Sequence, residues 1–397
     1  MRNRWIFLAV LFAVRCAMAF QFESVAAIAP LLGSKFDASL ADIGVLIGLY
    51  FTPGVALSLP GGAIGQKFGD KRTVLAALLL MLAGNLAMAF TASWSGQIAG
   101  RFVAGAGGVL LNVQLTKMTA DWFAGHEIAT AMAILVNSWP AGIALALLSL
   151  PLIGTAYGVG AVGLTVAVAM AIAVILATTY QPPEKPVVTT GAPPSSRPNA
   201  KALFATSVAG SMWGLYNVGF ATIFSFGPSM LVERGWSITA AGSTISIVLW
   251  LAMVSVPFGG FLADRIHRPQ AILVGGCILS ALLMATLPRS DAVIAIIACI
   301  GLTSGQPAGP MLSLPAQMLQ PATRAIGMGV FYTFYYAGMM LGPVIAGDAA
   351  KWTGSAATAL DIGAVAIAAC PVLLWIFNRL ATNAAGVANA VTRSAHC

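Results

Sequence analysis

Long apolar runs, separated by short polar or turn-forming gaps, dominate this chain. Of its 397 residues, 59% are apolar and 8% are charged, whereas a soluble globular protein carries about 25% charged residues. A helix needs about 20 apolar residues to cross a bilayer, and most of the runs reach that length. The pattern excludes an ordinary soluble enzyme, a disordered chain and a secreted disulfide scaffold. It predicts an all-α membrane protein.

The gaps between the apolar runs predict twelve transmembrane spans. The predicted spans are 5–32, 41–65, 73–92, 95–121, 127–151, 157–180, 203–231, 238–263, 270–288, 291–315, 323–347 and 355–378. The run at the start of the chain also fits a signal peptide, because a basic start and an apolar stretch precede an A-M-A sequence. Arg15 inside that stretch and its continuation beyond the A-M-A site favour a first span.

A polar, proline-rich stretch divides the predicted spans into two sets of six. This stretch, 181–202, contains six prolines among Ser, Thr and Gly, a composition that cannot bury a core. We therefore expect an amino-terminal six-helix bundle (1–180), a linker (181–202), a carboxy-terminal six-helix bundle (203–381) and a tail (382–397).

The basic residues lie mostly on one side of the predicted membrane. With the amino terminus inside, fourteen of the 20 Lys and Arg residues lie on the inner side and four on the outer side. The other two, Arg15 and Arg101, lie within spans. Since positive residues favour the cytoplasmic side, we expect a bacterial inner-membrane protein with both termini in the cytoplasm. The net charge of +8 is then a sign of topology, and nucleic-acid binding is excluded.

Two similar segments follow the second and eighth predicted spans. Within residues 59–72 and 256–269, Gly61 matches Gly259 and Gly62 matches Gly260 at an offset of 198, about half the chain length. Duplicated six-helix halves are typical of secondary transporters. Small residues allow close helix packing, and the charges could form ion pairs that lock one conformation, although a plain basic loop is the alternative. The candidate gating residues are Gly62, Gln66, Lys67, Gly69, Asp70, Lys71, Arg72, Gly260, Asp264, Arg265 and Arg268.

These loops resemble the G-x-x-x-D-R-x-G-R-R/K motif of the major facilitator superfamily. The second copy keeps the Asp264-Arg265 pair, whereas the first copy has Gln66-Lys67. The sequence R-F-V-A-G from Arg101 is similar to the family's span-4 motif, and 338–347 to its glycine-proline motif. The resemblance implies a fold of twelve helices in two pseudo-symmetric bundles that rock around a central cavity.

Three charged residues fall inside predicted spans, where charge is costly and usually functional. Glu23 and Arg101 lie at similar depths in spans 1 and 4. If these spans are neighbours, as in the resembled fold, the two side chains can meet. The pair would then exchange a proton with the solute pathway, or form a static ion pair. Arg15 has no evident acidic partner, which favours an anionic solute; solvation of Arg15 by cytoplasmic water is the alternative.

Further polar and aromatic residues within spans could line a cavity, and we expect about half of them to do so. Together with Arg15 and Arg101, the candidate solute-binding residues are Asn112, Asn137, Trp139, Trp213, Tyr216, Asn217, Tyr332, Tyr335 and Tyr336.

The sequence therefore predicts a monomeric secondary transporter for a small, anionic solute, coupled to protons. No nucleotide-binding loop, catalytic motif or metal-ligand spacing is present, so we expect no cofactor and no enzymatic activity. The five cysteines show no paired spacing and are expected to be small core residues. One alternative is a multidrug/proton antiporter, whose lipophilic cations Arg15 should repel. Another is a non-transporting receptor on the same fold.

Overall fold

The computed structural model describes residues 4–58, 60–123, 127–181, 200–319 and 323–381, and within these ranges it contains helices and turns but no strand. The predicted tail, most of the predicted linker and the side chains of Gln66 and Asp264 lie outside the described part. The helices are α1 (Arg4–Ala27), α2 (Ala29–Phe36), α3 (Leu40–Leu49), α4 (Thr52–Leu57), α5 (Gly61–Phe68), α6 (Asp70–Phe90), α7 (Trp94–Phe123), α8 (Ile128–Thr179), α9 (Ala200–Glu233), α10 (Ile238–Ile266), α11 (Pro269–Thr286), α12 (Val293–Ser304), α13 (Ala308–Ser313), α14 (Arg324–Thr353) and α15 (Ala357–Ala368), followed by a helical stretch at 370–381.

Eleven helical segments in the described ranges are long and apolar enough to cross a membrane. One of them lies in α8, whose 52 residues would extend about 78 Å as a straight helix, far beyond the roughly 30 Å of a hydrocarbon core. The helix bends at Gly158, which has a φ of 82° and a ψ of 173°. The two arms of α8 correspond to the predicted spans 127–151 and 157–180, which accounts for the difference between eleven and twelve.

Several predicted spans are broken helices. The first predicted span is divided into α1 and α2, and the second into α3, α4 and α5. Pro53 lies next to one of these breaks. It has no N–H to donate to the carbonyl of Leu49, so the helix is interrupted there. The predicted gap at 66–72, between the second and third spans, is not a loop: α5 and α6 occupy it, and Gly69 alone, with a φ of 85°, joins them.

The internal repeat is visible in the backbone. Six of the seven residues with positive φ in the described ranges occur in pairs at offsets of 198, 198 and 196, each pair at matching turns of the two halves of the chain, whereas Glu127 has no counterpart. The pairs are Asp37 and Gly235, Gly69 and His267, and Gly158 and Gly354. The helices that follow the first pair are capped in the same way. The hydroxyl of Ser39 accepts the N–H of Asp42, and that of Ser237 accepts the N–H of Ala240. The repeated sequence thus produces repeated local structure.

Both ends of the described chain lie on one face of the helix assembly. The helices α3 and α14 run antiparallel, since Gly44 approaches Pro343 and the hydroxyl of Ser58 lies 3.0 Å from that of Thr333. We call the end that holds Arg4, where α1 begins, the terminal face. The opposite end is the distal face, where Arg289, after α11, pairs with Asp361 of α15 at 2.7 Å.

The two halves of the chain touch most closely toward the distal face, through glycines. A Cβ atom built on Gly48 of α3 would lie 2.2 Å from the carbonyl oxygen of Met340 in α14, and one on Gly44 would lie 2.3 Å from that of Pro343. At the matching crossing of α8 and α10, a Cβ on Gly242 would lie 2.5 Å from the carbonyl oxygen of Leu147. Small residues therefore permit the backbone contacts that close this end.

Replacing Gly48 with Val should open the distal closure, because the new side chain cannot fit beside the Met340 carbonyl. A cysteine placed at the buried Ala41, in a background without native cysteines, should then react with a maleimide at least about tenfold faster. Gly275→Val is the matched control, since no atom lies within 4 Å of a Cβ at that position. Unchanged labelling of folded Gly48→Val protein would contradict this account of the closure.

Candidate functional site

Arg15 lies half-buried in the middle of α1, among neutral hydrogen-bond acceptors. Its Nε donates to Oδ1 of Asn112 at 3.1 Å, and its Nη1 donates to the carbonyls of Leu135 and Val136 at 2.8 and 3.2 Å. No carboxylate in the described part of the chain forms an ion pair with it. Arg15 therefore carries a positive charge that no charged neighbour in the described ranges balances.

A proline creates one of these acceptors. Pro140 lies inside α8 and has no N–H for the carbonyl four residues earlier, that of Val136. This free carbonyl accepts the bond from Arg15. Pro257 in α10 frees the carbonyl of Met253 in the same way, and Nδ2 of Asn137 donates to it at 3.2 Å. The prolines thus supply acceptors for two of the predicted solute-binding residues.

The three predicted tyrosines of α14 face Arg15 from the other half of the chain. Tyr332, Tyr335 and Tyr336 all interact electrostatically with its guanidinium. Nδ2 of Asn112 lies 3.5 Å from the hydroxyl of Tyr336. Asn112 therefore contacts Arg15 in one half and Tyr336 in the other.

The predicted residues of α9 extend this aromatic group. Trp213 stacks on Tyr216 with ring centroids 5.4 Å apart, and its centroid lies 6.3 Å from that of Tyr335. The hydroxyl of Tyr216 donates to the carbonyl of Ser304, and Asn217 donates to the carbonyl of Trp213 at 2.8 Å. Tyr216 is buried and supports Trp213 from behind, whereas Trp213 itself is half-buried at the edge of the site.

Sequence reasoning missed Phe22, which links Trp139 to the rest of the site. Its ring stacks on Trp139 at 5.2 Å and lies 5.1 Å from Phe51, which is 6.4 Å from Tyr336. A helical signal for Phe22 was present, because it follows Arg15 by seven residues and so lies on the same face of α1.

Arg101 is buried, with 1% of its surface exposed, and it bonds to backbone carbonyls. Its Nε donates to Leu46 at 2.9 Å, its Nη2 to Phe22 at 2.8 Å and its Nη1 to Gln21 at 3.5 Å. Leu46 lies in the last turn of α3, where carbonyls lack helical partners. The guanidinium also lies over the rings of Phe22 and Tyr50, 5.2 and 4.7 Å from their centroids.

Glu23 does not pair with Arg101, so the contact expected from the sequence is wrong for this structure. The donors of Arg101 are directed to the carbonyls of α1 and α3 instead. Glu23 is fully buried, and neither of its carboxylate oxygens accepts a hydrogen bond from any residue in the described part of the chain. The role of Glu23 in proton coupling stays a prediction.

The candidate gating charges of the first motif contact their own half of the chain. Asp70 pairs with Lys117 at 2.5 Å, and Lys71 donates to the carbonyls of Thr178 and Tyr180 at 2.6 and 2.9 Å. These contacts join the ends of α6, α7 and α8 on the terminal face.

The other motif residues make weaker contacts or none that bears on gating. Lys67 lies 5.4 Å from the ring of Phe68, Arg265 lies 5.9 Å from that of Phe261, and Arg268 precedes α11. Arg72 is exposed. Gly62 lies in α5 and Gly260 in α10. A gating role for the two motifs therefore stays a prediction.

Charged residues within membrane spans usually mark a substrate or ion pathway, so apolar helices around Arg15 and its aromatic neighbours indicate a membrane transporter. A family model described as the Major Facilitator Superfamily matches residues 11–343 and residues 203–394. The chain therefore belongs to the Major Facilitator Superfamily, as the sequence motifs indicated. It is an integral membrane transporter and not an enzyme.

One curated relative is the hexuronate transporter of Bacillus subtilis (strain 168), which is 23% identical over 263 residues. The matched region covers 61% of this chain and 60% of that protein, so the chain matches less than two thirds of the relative's length.

Replacing Arg101 with Met should destabilise the protein strongly, since it removes three hydrogen bonds from a cation and two ring contacts. We expect a loss of at least about 2 kcal/mol in the free energy of unfolding, measured as a lower unfolding temperature in detergent. Arg289→Gln is the control, because its pair with Asp361 is exposed, and exposed pairs contribute little. Equal unfolding temperatures for the two variants would show that the Arg101 contacts are not structural.

Proposed function

We propose that this transporter moves a small organic anion, of the sugar-acid class, across the bacterial inner membrane. The observation that carries the proposal is Arg15, whose described partners are an amide, two carbonyls and tyrosines. A cation inside a membrane protein is costly unless a ligand or a water-filled cavity meets it. A carboxylate would supply the missing charge. The name of the B. subtilis relative, a hexuronate transporter, supports the same class of solute.

The way in which the halves meet supports transport by alternating access. The two arms of α8 bring the number of crossings to twelve, six in each half, which we interpret as two bundles. The bonds of Asn112 to Tyr336 and of Asn137 to the Met253 carbonyl join the bundles beside Arg15. Rocking of the bundles would break these bonds and expose the site to the other face. The excess of basic residues on this side supports a cytoplasmic location for the terminal face.

Glu23 is our candidate for proton coupling. A buried carboxylate without a hydrogen-bond donor is costly in its charged form, so we infer that it carries a proton in this conformation. Its release would follow when movement of the bundles admits water. Arg101 then has a structural role, because its donors are engaged by carbonyls.

Replacing Arg15 with Gln should weaken the binding of glucuronate about 10- to 100-fold, because it removes charge-assisted hydrogen bonds to the carboxylate. Titration calorimetry with purified protein measures the affinity, and Arg289→Gln on the distal face is the matched control. Unchanged binding of glucuronate would show that Arg15 does not contact the solute. Expulsion of cationic dyes from liposomes without any binding of organic anions would favour a multidrug antiporter instead.

Replacing Glu23 with Gln should abolish accumulation of the solute driven by a proton gradient but preserve exchange of internal for external solute. The amide keeps the shape of the side chain and cannot carry the proton. Both activities are measured in proteoliposomes with labelled glucuronate. Glu127→Gln makes the same chemical change at an exposed pair with Arg4 and should leave both intact. Proton-driven accumulation by the Glu23 variant would assign coupling to another group.

A further inference from the structure

The two halves supply different chemistry to the site around Arg15. At the offset of 198 that relates the halves, Arg15 corresponds to Trp213 and Asn137 to Tyr335. At these two pairs of matching positions, the amino-terminal half provides a cation and an amide, and the carboxy-terminal half provides aromatic rings.

Both halves of the chain present polar groups that have no hydrogen-bond partner in the described ranges. Nη2 of Arg15 donates no hydrogen bond to any residue that the structure describes, since the bonds of Arg15 use Nε and Nη1. Within the same described ranges, no hydrogen bond engages the indole N–H of Trp213 or the hydroxyls of Tyr332 and Tyr335. These three residues are half-buried, and Tyr332 and Tyr335 interact electrostatically with Arg15.

Two other polar aromatic groups nearby, the hydroxyls of Tyr336 and Tyr216, are already engaged. The hydroxyl of Tyr336 is in contact with Asn112, and the hydroxyl of Tyr216 donates to the Ser304 carbonyl. Polar groups in a buried setting are normally hydrogen-bonded. Three free donors clustered on one side of a cation are therefore suited to a ligand that carries several hydroxyls.

We propose that the solute is a carboxylate on a hydroxyl-bearing ring, oriented with its carboxylate toward Arg15 and its ring against Trp213, Tyr332 and Tyr335. This inference rests on the proposed function. The carboxylate accepts from Nη2 of Arg15, and the ring hydroxyls exchange hydrogen bonds with the two tyrosines and the indole. The apolar face of the ring packs on the aromatic side chains.

This orientation predicts which anions the site rejects. An inorganic anion would meet Arg15 and leave the three aromatic polar groups without partners. A carboxylate on a plain cyclohexane ring would fill the space but also leave them without partners. Sites built to hydrogen-bond a hydroxyl discriminate strongly against analogues that lack it.

The test combines three variants with two ligands. Titration calorimetry with the purified full chain measures the affinity for glucuronate and for cyclohexanecarboxylate. Tyr335→Phe removes the hydroxyl and keeps the ring, so glucuronate should bind about tenfold more weakly while cyclohexanecarboxylate changes less than about twofold. Arg15→Gln should weaken both ligands. Tyr157→Phe, at an exposed position, is the matched control and should change neither affinity.

The outcomes separate the two proposals. If Tyr335→Phe changes the two affinities equally, or changes neither, while Arg15→Gln weakens both, the division between the halves is overturned and the anion site stands. If wild-type protein binds neither carboxylate, or if Arg15→Gln changes neither affinity, the proposed function fails and this inference fails with it. A selective loss of glucuronate affinity in Tyr335→Phe is the expected result.

Discussion

Hydrogen bonding of the backbone inside a membrane is the constraint on which this structure depends. Hydrocarbon offers no water to a carbonyl that loses its helical partner, so the protein must supply another donor. Here the free carbonyls and the buried cations satisfy each other. Pro140 frees the carbonyl that accepts from Arg15, and the end of α3 offers the Leu46 carbonyl to Arg101. Breaks in helices and charged side chains, each costly alone, therefore occur together.

The same constraint distinguishes the two arginines. Arg101 directs Nε, Nη1 and Nη2 to carbonyls and has 1% of its surface exposed, so each of its nitrogens already has a described partner. Arg15 keeps Nη2 free of described partners and is half-buried. Of the two arginines within predicted spans, Arg101 is thus engaged in packing, whereas Arg15 keeps a nitrogen available for a ligand.

Sequence patterns predicted the helical spans and the family well, because both depend on composition and on short motifs. They did not predict that α8 would continue through the gap at 151–157 and bend only at Gly158, since that choice depends on local backbone geometry. The expected pairing of Glu23 with Arg101 was wrong. A sequence shows which side chains are carboxylates, but it does not show which backbone carbonyls lack a helical partner and can accept from an arginine. Only the fold reveals that Leu46 ends a helix beside Arg101.

The internal repeat explains how such a site can work. The turns at Gly69 and His267 match in the two halves, while Arg15 in one half corresponds to Trp213 in the other. In the proposed function, matching backbones would allow the halves to rock symmetrically, and different side chains would give each half its own part of the ligand. Nδ2 of Asn112 and the hydroxyl of Tyr336 join the halves at 3.5 Å. A hydrogen bond of this length contributes little to the attraction between the halves. A ligand that contacts both halves would add to the attraction between them at this level, so in the proposed function occupancy of the site would favour closure around the solute.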